Sequence, residues 1–291
     1  MKKISILIFT ILLAAGLFAE DWNISADVSL TMNQTAYSEN WNGEEKGSIS
    51  WVFNSNILAE KQLTEKIHNK NTLKLAFGQT HTQMEDEADE KYWAKPDKST
   101  DLIDFESMFR FTLGAFVDPF ASFRDETQFL DESDVEAKIF NPNTTTETFG
   151  IAKVFIKDDT QELSTRFGAA FKQYFDSNLD ESTNDGGVEF VGIYVKPLKE
   201  GMIKYSTNLN LYKPIVYSES EDLEDTEFED AWKQIRMNWQ HDVDISLNSL
   251  INFKLYVQLL YNEMDLDVNN ESIDGVQIKE TLGLGLNYKL F

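Results

Sequence analysis

The sequence predicts an all-β chain that folds as a transmembrane antiparallel up-and-down β-barrel of about twelve strands. Three observations predict it: repeated runs in which apolar and polar residues alternate, connections of alternating length, and a glycine-rich last strand that reaches an aromatic end. In a membrane barrel, every second residue of a strand faces lipid, turns are short on one side of the membrane, and the last strand pairs with the first.

The first 19 residues have the pattern of a secretory signal. Two lysines follow Met1, residues 4–13 are apolar, and residues 16–19 form a plausible cleavage region. We therefore expect a signal peptide over residues 1–19 and one barrel domain over residues 20–291. The chain has no cysteine, which excludes disulfides and thiolate metal sites.

Alternation with a period of two residues marks the strands, because successive side chains point to opposite faces. In the first strand, Ile24, Val28 and Leu30 lie on one face, and Ser25 and Asp27 lie on the other. The sixth and eighth runs carry apolar residues on both faces, so the sequence leaves their phase open. The twelve runs are residues 22–33, 48–57, 72–78, 103–113, 120–130, 145–157, 163–175, 187–196, 203–211, 234–245, 252–262 and 276–291.

The connections between these runs indicate how the barrel lies in the membrane. After even strands they are short: residues 61–69, 117–119, 157–160, 197–201 and 247–249. After odd strands they are longer: residues 38–46, 83–100, 131–144, 176–186, 215–230 and 264–275. Short turns face the periplasm and long loops face outward in such barrels. Every acidic cluster falls on a long connection, which predicts acidic outer loops.

A periplasmic sandwich, or a soluble barrel around an apolar ligand, is the alternative architecture. Such proteins also contain alternating strands and turns. Their strands commonly span about five or six residues, whereas a membrane barrel needs about 9–11. The patterned runs in this chain are mostly eleven residues or longer, which favours the membrane barrel.

The last strand resembles the signal by which the outer-membrane barrel assembly machinery recognises its clients. Thr281, Gly283, Leu286 and Tyr288 occupy its polar, glycine, hydrophobic and aromatic positions. Phe291 is one residue out of phase with the apolar face, so we expect it at the membrane interface, where aromatic residues gather. The resemblance implies that this machinery and outer-membrane lipid are partners of the chain.

The first third of the chain resembles an uncharacterised family of outer-membrane barrels, a domain of unknown function common in Bacteroidetes-like bacteria. The matching residues are Asn33 and Gln34, then Asn40-Trp41, Gly43-Glu44 and Ser48-Ile49-Ser50, followed by residues 69–78 and 98–101. Asn42 departs from the Gly-Gly pair of that family. The resemblance implies a barrel fold and assigns no reaction or substrate.

The charge of the chain limits its partners. There are 50 acidic and 26 basic residues, giving a net charge of -24. Nucleic-acid binding is disfavoured because it requires clustered Lys and Arg. Acidic residues cluster at 85–90, 131–136 and 219–230. We expect solvated loops there, and the alternative is weak binding of divalent cations by clustered carboxylates. The spacing matches no EF-hand, and no metal or cofactor site is predicted.

Charged side chains also occur on the lumen phase of the predicted strands. Buried charges need partners, so these residues either form a salt-bridge network that fills a narrow barrel or form a constriction that sorts solutes by charge. The sequence leaves both possibilities open. The residues of this predicted lumen charge cluster are Asp104, Glu106, Arg110, Arg124, Glu126, Arg166 and Arg236.

Catalytic residues are scarce. The chain has three histidines: His68 in a predicted connection, His81 near the outer end of the third strand, and His241 on the apolar phase of the tenth. Only His81, close to Glu85 and Asp86, has acidic neighbours of the kind a barrel protease needs. The sequence therefore predicts a narrow passive channel or solute-binding barrel. The alternatives are a structural or surface-interaction barrel plugged by its own ion pairs and, with least support, an outer-membrane hydrolase.

Overall fold

In the computed structural model, the described residues are 22–37, 46–85, 91–133, 136–158, 160–178, 180–226, 229–248, 251–264 and 275–289. The predicted signal peptide, part of the first long loop and Phe291 lie outside these ranges. No helix in the described part of the chain is long and apolar enough to cross a membrane.

The described residues form an antiparallel β-barrel of twelve strands with one extra short strand, which confirms the predicted fold class. The extra strand, β4, pairs only with the last residues of β3, Gln83 to Glu85. One short 3₁₀ helix, Lys199–Gly201, follows β9, and another, Ala231–Lys233, precedes β11. The strands are β1 Asn23–Thr35, β2 Ser48–Thr64, β3 Ile67–Glu85, β4 Lys91–Trp93, β5 Asp97–Phe111, β6 Asp118–Thr127, β7 Asn143–Lys157, β8 Glu162–Asp176, β9 Glu181–Leu198, β10 Ile203–Tyr217, β11 Arg236–Ser246, β12 Ile251–Tyr261 and β13 Gln277–Lys289.

Pairing of the first and last strands closes the barrel. Leu30 of β1 lies opposite Leu286 of β13, and Thr31 lies opposite Gly285. On its other edge β1 pairs with β2, and β2 pairs with β3. Closure removes free sheet edges. A strand in lipid requires both edges to be paired, because no water is present to satisfy its backbone groups.

The outer face of the barrel is apolar, and its lumen is polar. Met32 on β1 is 56% exposed, and Leu286 on β13 is 59% exposed. Inward-facing Ser29, Asp104 and Glu189 are buried. This arrangement is the reverse of a water-soluble barrel and provides a lipid-facing surface. Other large apolar side chains exposed along this face include Phe53, Phe105, Phe109, Phe123, Phe149, Phe167, Phe171, Leu282 and Leu284.

Two predicted connections are wrong. The turn after β2 contains only the two residues between Thr64 and Ile67, in place of residues 61–69, and His68 therefore belongs to β3. The long loop predicted at residues 176–186 is a tight turn between Asp176 and Glu181. The polar residues after it continue β9, because their backbone pairs with β8, with Asp185 opposite Lys172. The alternation of short and long connections thus fails at this loop.

The structure also settles the phase of the two strands that the sequence left open, β7 and β9. Thr148 and Ala152 of β7 and Glu189 and Val191 of β9 are buried, while Phe149 is exposed on the outside. Both strands place apolar as well as polar side chains in the lumen. The sequence pattern was ambiguous for that reason.

Glycines allow close approach between β7 and β8, and they provide a test of the register. A Cβ added at Gly150 would lie 2.1 Å from the Phe167 carbonyl oxygen and 2.5 Å from the Gly168 Cα, so backbone would have to move. We expect Gly150→Ala to lower the free energy of unfolding by about 1–3 kcal/mol, as overpacking does.

The matched control is Gly192→Ala, because a Cβ there would meet only the Phe190 ring, at 3.5 Å. Urea titrations of the detergent-folded barrel, followed by heat-modifiable gel migration, measure both variants. Equal unfolding midpoints for the two would contradict the register between β7 and β8.

Candidate functional site in the barrel lumen

The centre of the lumen contains a tight charge cluster on β5 and β6. The Nε and Nη2 atoms of Arg124 donate to the two carboxylate oxygens of Asp104 at 2.8 and 3.0 Å. Arg124 Nη2 also donates to Glu126 Oε1 at 2.9 Å, and Lys74 Nζ lies 3.6 Å from Asp104. Such bidentate, charge-assisted contacts are strong and directional. They hold Asp104 in place although it is only 5% exposed.

Ion pairs also cross the lumen between strands that are not neighbours. Arg166 of β8 contacts Glu106 of β5. Lys157 of β7 contacts both oxygens of Glu60 on β2, at 3.0 and 2.8 Å. Lys70 of β3 lies 3.8 Å from Glu162 of β8. Since single pairs of side chains bridge opposite walls, the lumen is narrow at these levels.

The predicted lumen charge cluster is divided among three levels. Asp104, Glu106, Arg124, Glu126 and Arg166 meet at the centre of the barrel. Arg110 lies at the short-turn end, 3.7 Å from Asp118. Arg236 lies toward the long-loop end, where its Nη1 donates to Asp185 Oδ2 at 2.7 Å.

A polar layer built around Tyr212 fills the lumen on the long-loop side. Tyr212 is 1% exposed, donates its hydroxyl hydrogen bond to Asp185, and lies beneath the Lys172 ammonium, 3.9 Å from the ring centre. Glu189 is 3% exposed and accepts hydrogen bonds from Thr148 at 3.2 Å and Asn210 at 2.8 Å. We refer to Lys172, Asp185, Glu189, Tyr212 and Arg236 as the outer layer.

Sequence reasoning missed most of the outer layer. Asp185 lay in a predicted loop, and Glu189 lay on a strand whose phase was open. Tyr212 is aromatic, as many lipid-facing residues are. It lies an even number of residues from Lys204 on the same strand, however, and this places it on the lumen phase. That spacing was the available signal.

On the short-turn side of the central cluster, the lumen encloses a cavity of about 320 Å³. Strands β3 and β5 form one wall, with Lys70, Lys74 and Arg110. Strands β7 to β11 form the facing wall. The cross-lumen pairs of Arg166 and Lys70 connect the two walls. This cavity is a space within the described lumen that is large enough to hold a small solute.

In the described part of the loop between β6 and β7, one acidic side chain is buried and hydrogen-bonded, whereas its composition predicted a solvated loop. Asp131 is buried and accepts hydrogen bonds from the Ser133 backbone at 2.9 Å, from Asn141 at 2.7 Å and from Asn178 at 2.6 Å. Burial raises the pKa of this carboxyl, but the hydrogen bonds from Ser133 and Asn141 outweigh burial and hold the pKa below its usual value. The expectation of a solvated cluster is therefore wrong for Asp131, because Ser133 and Asn141 of its own loop and Asn178 of the connection after β8 supply its donors.

Among the described residues, no group of three or more His, Asp or Glu side chains is arranged to hold a metal ion. Residues 227 and 228 of the longest acidic run lie outside the described part of the chain.

The predicted assembly signal lies on β13. Gly283 faces the lumen, where an added Cβ would meet Thr31 Cγ2 at 2.1 Å. Thr281 pairs with Tyr256 of β12, and Leu286 faces outward. Tyr288 pairs with Val28 through the backbone, and its side chain, like Phe291, lies outside the described residues.

The histidines do not form a catalytic group with the side chains that the structure describes. His241 faces outward, where its Nδ1 lies 2.9 Å from the Tyr205 hydroxyl oxygen and its ring lies 4.5 Å from Trp239. His68 faces the lumen, 3.6 Å from Glu60. His81 pairs with Ile49 on β2, and its proposed partner Asp86 lies outside the described residues.

The central cluster makes a testable contribution to stability. Arg124→Met would leave the buried Asp104 carboxylate without its bidentate partner. We expect a loss of about 3–5 kcal/mol in the free energy of unfolding, measured by urea titration, as is typical when one partner of a buried pair is removed.

The control is Lys95→Met, which breaks the exposed Lys95–Glu132 pair (3.6 Å). It also replaces a long cationic side chain with methionine. Surface pairs contribute little. If the two variants lose equal stability, the central cluster does not hold the barrel together.

Comparisons with solved structures found outer-membrane barrels. An outer membrane channel from Pseudomonas putida F1 is 12% identical, with 91% of this chain and 94% of that chain covered and a TM-score of 0.41. The translocator domain of the autotransporter NalP from Neisseria meningitidis is 9% identical, with 95% and 91% covered and a TM-score of 0.35. The monoaromatic hydrocarbon channel CymD is 7% identical, with 92% and 88% covered and a TM-score of 0.33.

A comparison with curated proteins gave no match. The resemblance predicted from the first third of the sequence is confirmed by a family model, while its distribution among Bacteroidetes-like bacteria stays a prediction. Residues 32–132, which run from the end of β1 into the loop after β6, match the family described as a protein of unknown function (DUF3078).

Proposed function

We propose that this protein is an outer-membrane barrel that admits a small solute to a narrow charged lumen, as a selective passive channel or solute-binding barrel. The observation that carries the proposal is the cavity of about 320 Å³ on the short-turn side of the central cluster. A barrel that serves only as a scaffold has no need for a solute-sized space lined by charged side chains.

The cross-lumen ion pairs support selectivity. A solute entering from the short-turn end passes Lys157 and Glu60, and then meets Arg166 and Glu106. Fixed charges at a constriction set the local potential and determine which ions pass. A twelve-stranded barrel is intermediate in width between small barrels filled by side chains and open porins.

The second candidate is a structural or surface-interaction barrel with a permanently plugged lumen. The outer layer favours it, because Tyr212 and Glu189 are almost fully buried and hydrogen-bonded. The channel proposal requires this layer to rearrange, and the plugged barrel requires it to stay fixed. The outer layer is therefore the place to test the two.

A non-enzymatic role accords with the placement of the histidines. His241 is on the lipid-facing side beside Tyr205, and His68 contacts Glu60 without a nucleophile bonded to it in the described structure. A hydrolase would need a base within hydrogen-bond reach of a nucleophile or of an activated water.

The proposed location is the outer membrane, reached by means of a cleaved signal peptide. The apolar outer face supports contact with outer-membrane lipid. The glycine-rich β13, with inward Gly283 and outward Leu286, supports recognition by the barrel assembly machinery. Weak binding of divalent cations by the acidic residues 219–230 remains part of the proposal.

Planar-bilayer conductance tests the channel. We expect wild-type barrels to conduct weakly, and we expect Tyr212→Ala to raise single-channel conductance several-fold, because it removes the most buried aromatic side chain of the outer layer. Tyr205→Ala is the matched control, since Tyr205 lies on the same strand and faces outward against His241. It should leave conductance unchanged.

The same bilayers test charge selectivity. In the Tyr212→Ala background, Arg110→Ala should move the reversal potential toward cation selectivity, because it removes a positive charge from the cavity wall. Folded barrels that stay silent in both the wild-type and Tyr212→Ala forms would contradict the channel and support the plugged barrel.

A further inference from the structure

The cavity on the short-turn side has an apolar strip on one wall. Its members come from the lumen faces of β7 and β9: Ala152, Val154, Val191, Ile193 and Val195. The lumen of a membrane barrel is mainly polar, and outside this strip single apolar side chains such as Met108 and Phe120 also face the lumen. The strip is the physical reason that the sequence left the phase of these two strands open.

Strand β8 lies between the two apolar parts of the strip and carries polar side chains on its lumen face. Arg166 of β8 pairs in register with Ala152 on one side and Val191 on the other. Ser164 pairs in the same way with Val154 and Ile193. The strip thus consists of two apolar parts, on β7 and β9, that lie on either side of Arg166.

The rest of the cavity wall is basic. Six cationic side chains on the lumen phase line it, against three acidic ones, Glu106, Glu162 and Asp242. Three of these cations also pair with acidic side chains outside the lining: Lys74 with Asp104, Lys157 with Glu60 and Arg110 with Asp118. The six are Lys70, Lys74, Arg110, Lys157, Arg166 and Lys204.

Two guanidinium groups in this wall retain unused donors. The Nε atoms of Arg110 and Arg166 are buried and make no hydrogen bond with the residues the structure describes, although Arg110 Nε lies 3.7 Å from Asp118 Oδ2. The contact of Arg166 with Glu106 is close without being aligned as a hydrogen bond at that oxygen. Buried donors are normally satisfied, and an anion is the natural acceptor for a guanidinium.

From these observations we propose that the cavity binds a small amphipathic monoanion, a short-chain carboxylate, with its carboxylate facing the basic side chains that include Arg110 and Arg166 and its hydrocarbon chain against Val191, Ile193 and Val195. The inference rests on the proposed function and specifies its solute class. A cavity of about 320 Å³ is at the small end of ligand sites, which matches a short chain.

The two halves of the cavity discriminate together. A plain inorganic anion would satisfy the arginines and leave the apolar strip without a partner. An alcohol of equal length would cover the strip and leave the buried donors unmatched. Sites lined by apolar residues with a few placed polar groups fix orientation in this way.

Calorimetry on the full chain in lipid nanodiscs, with empty nanodiscs subtracted, tests the proposal with hexanoate as the probe. We expect hexanoate to bind more tightly than butyrate, by up to about fourfold for each added methylene. We expect hexanol, hexylammonium and inorganic phosphate to bind at least roughly tenfold more weakly, since each lacks the charge or the chain.

Two variants locate the site. Arg110→Gln should weaken hexanoate binding by roughly tenfold through loss of a charge-assisted bond. Ile193→Ser should reduce the advantage of hexanoate over butyrate. Lys254→Gln is the matched charge control, because Lys254 faces the lumen at Ser29 and Asp244 and is not part of the cavity lining. Heat-modifiable migration establishes that each variant is folded.

The outcomes separate the ligand class from the channel. Folded wild-type protein that does not bind hexanoate, or that binds hexanol or phosphate equally well, overturns the amphipathic-anion site. If Arg110→Gln and Lys254→Gln weaken hexanoate binding equally, the proposed location of the site is wrong. If hexanoate does not bind but Tyr212→Ala barrels conduct, the channel proposal holds and the proposed solute class is wrong. If hexanoate binds to barrels silent in every form, the site stands and the channel fails.

Discussion

Closure of the sheet between β1 and β13 is the constraint on which the rest of this structure depends. A strand in lipid must pair both edges, because an unpaired backbone group there costs several kcal/mol. The pairing of Leu30 with Leu286 completes the ring and fixes which residues face lipid. Because the side-chain period is two, the register of each strand pair assigns its inward and outward positions, and the phase shifts only at the bulges in four of the pairs.

The lumen that closure creates is too narrow for isolated charges, and this explains its cross-lumen pairs. Desolvating an ion is costly unless partners surround it. Asp104 is held by Arg124 and Lys74, and Glu60 is held by Lys157 from across the barrel. The same pairs narrow the passage, so stability and selectivity depend on the same side chains. Loss of a pair changes both.

The short-turn half of the lumen differs from the long-loop half. Around Tyr212 and Glu189, polar groups hydrogen-bond to one another. Around Arg110 and Arg166, basic groups face an apolar strip and retain unused donors. This part of the lumen combines apolar side chains with cationic groups that keep unused hydrogen-bond donors, so its own residues do not satisfy those donors. That mismatch distinguishes a binding site from a filled core.

The sequence by itself determined the strand number, the apolar outer face and the lumen phase of Asp104 and Arg124, because a period of two is a local property of the chain. It also indicated the family resemblance over the first third. Only the tertiary structure decided the phase of β7 and β9, the tight turn after β8, and which charges meet across the lumen. Those features depend on contacts between distant strands, such as Lys157 with Glu60, which no local pattern encodes.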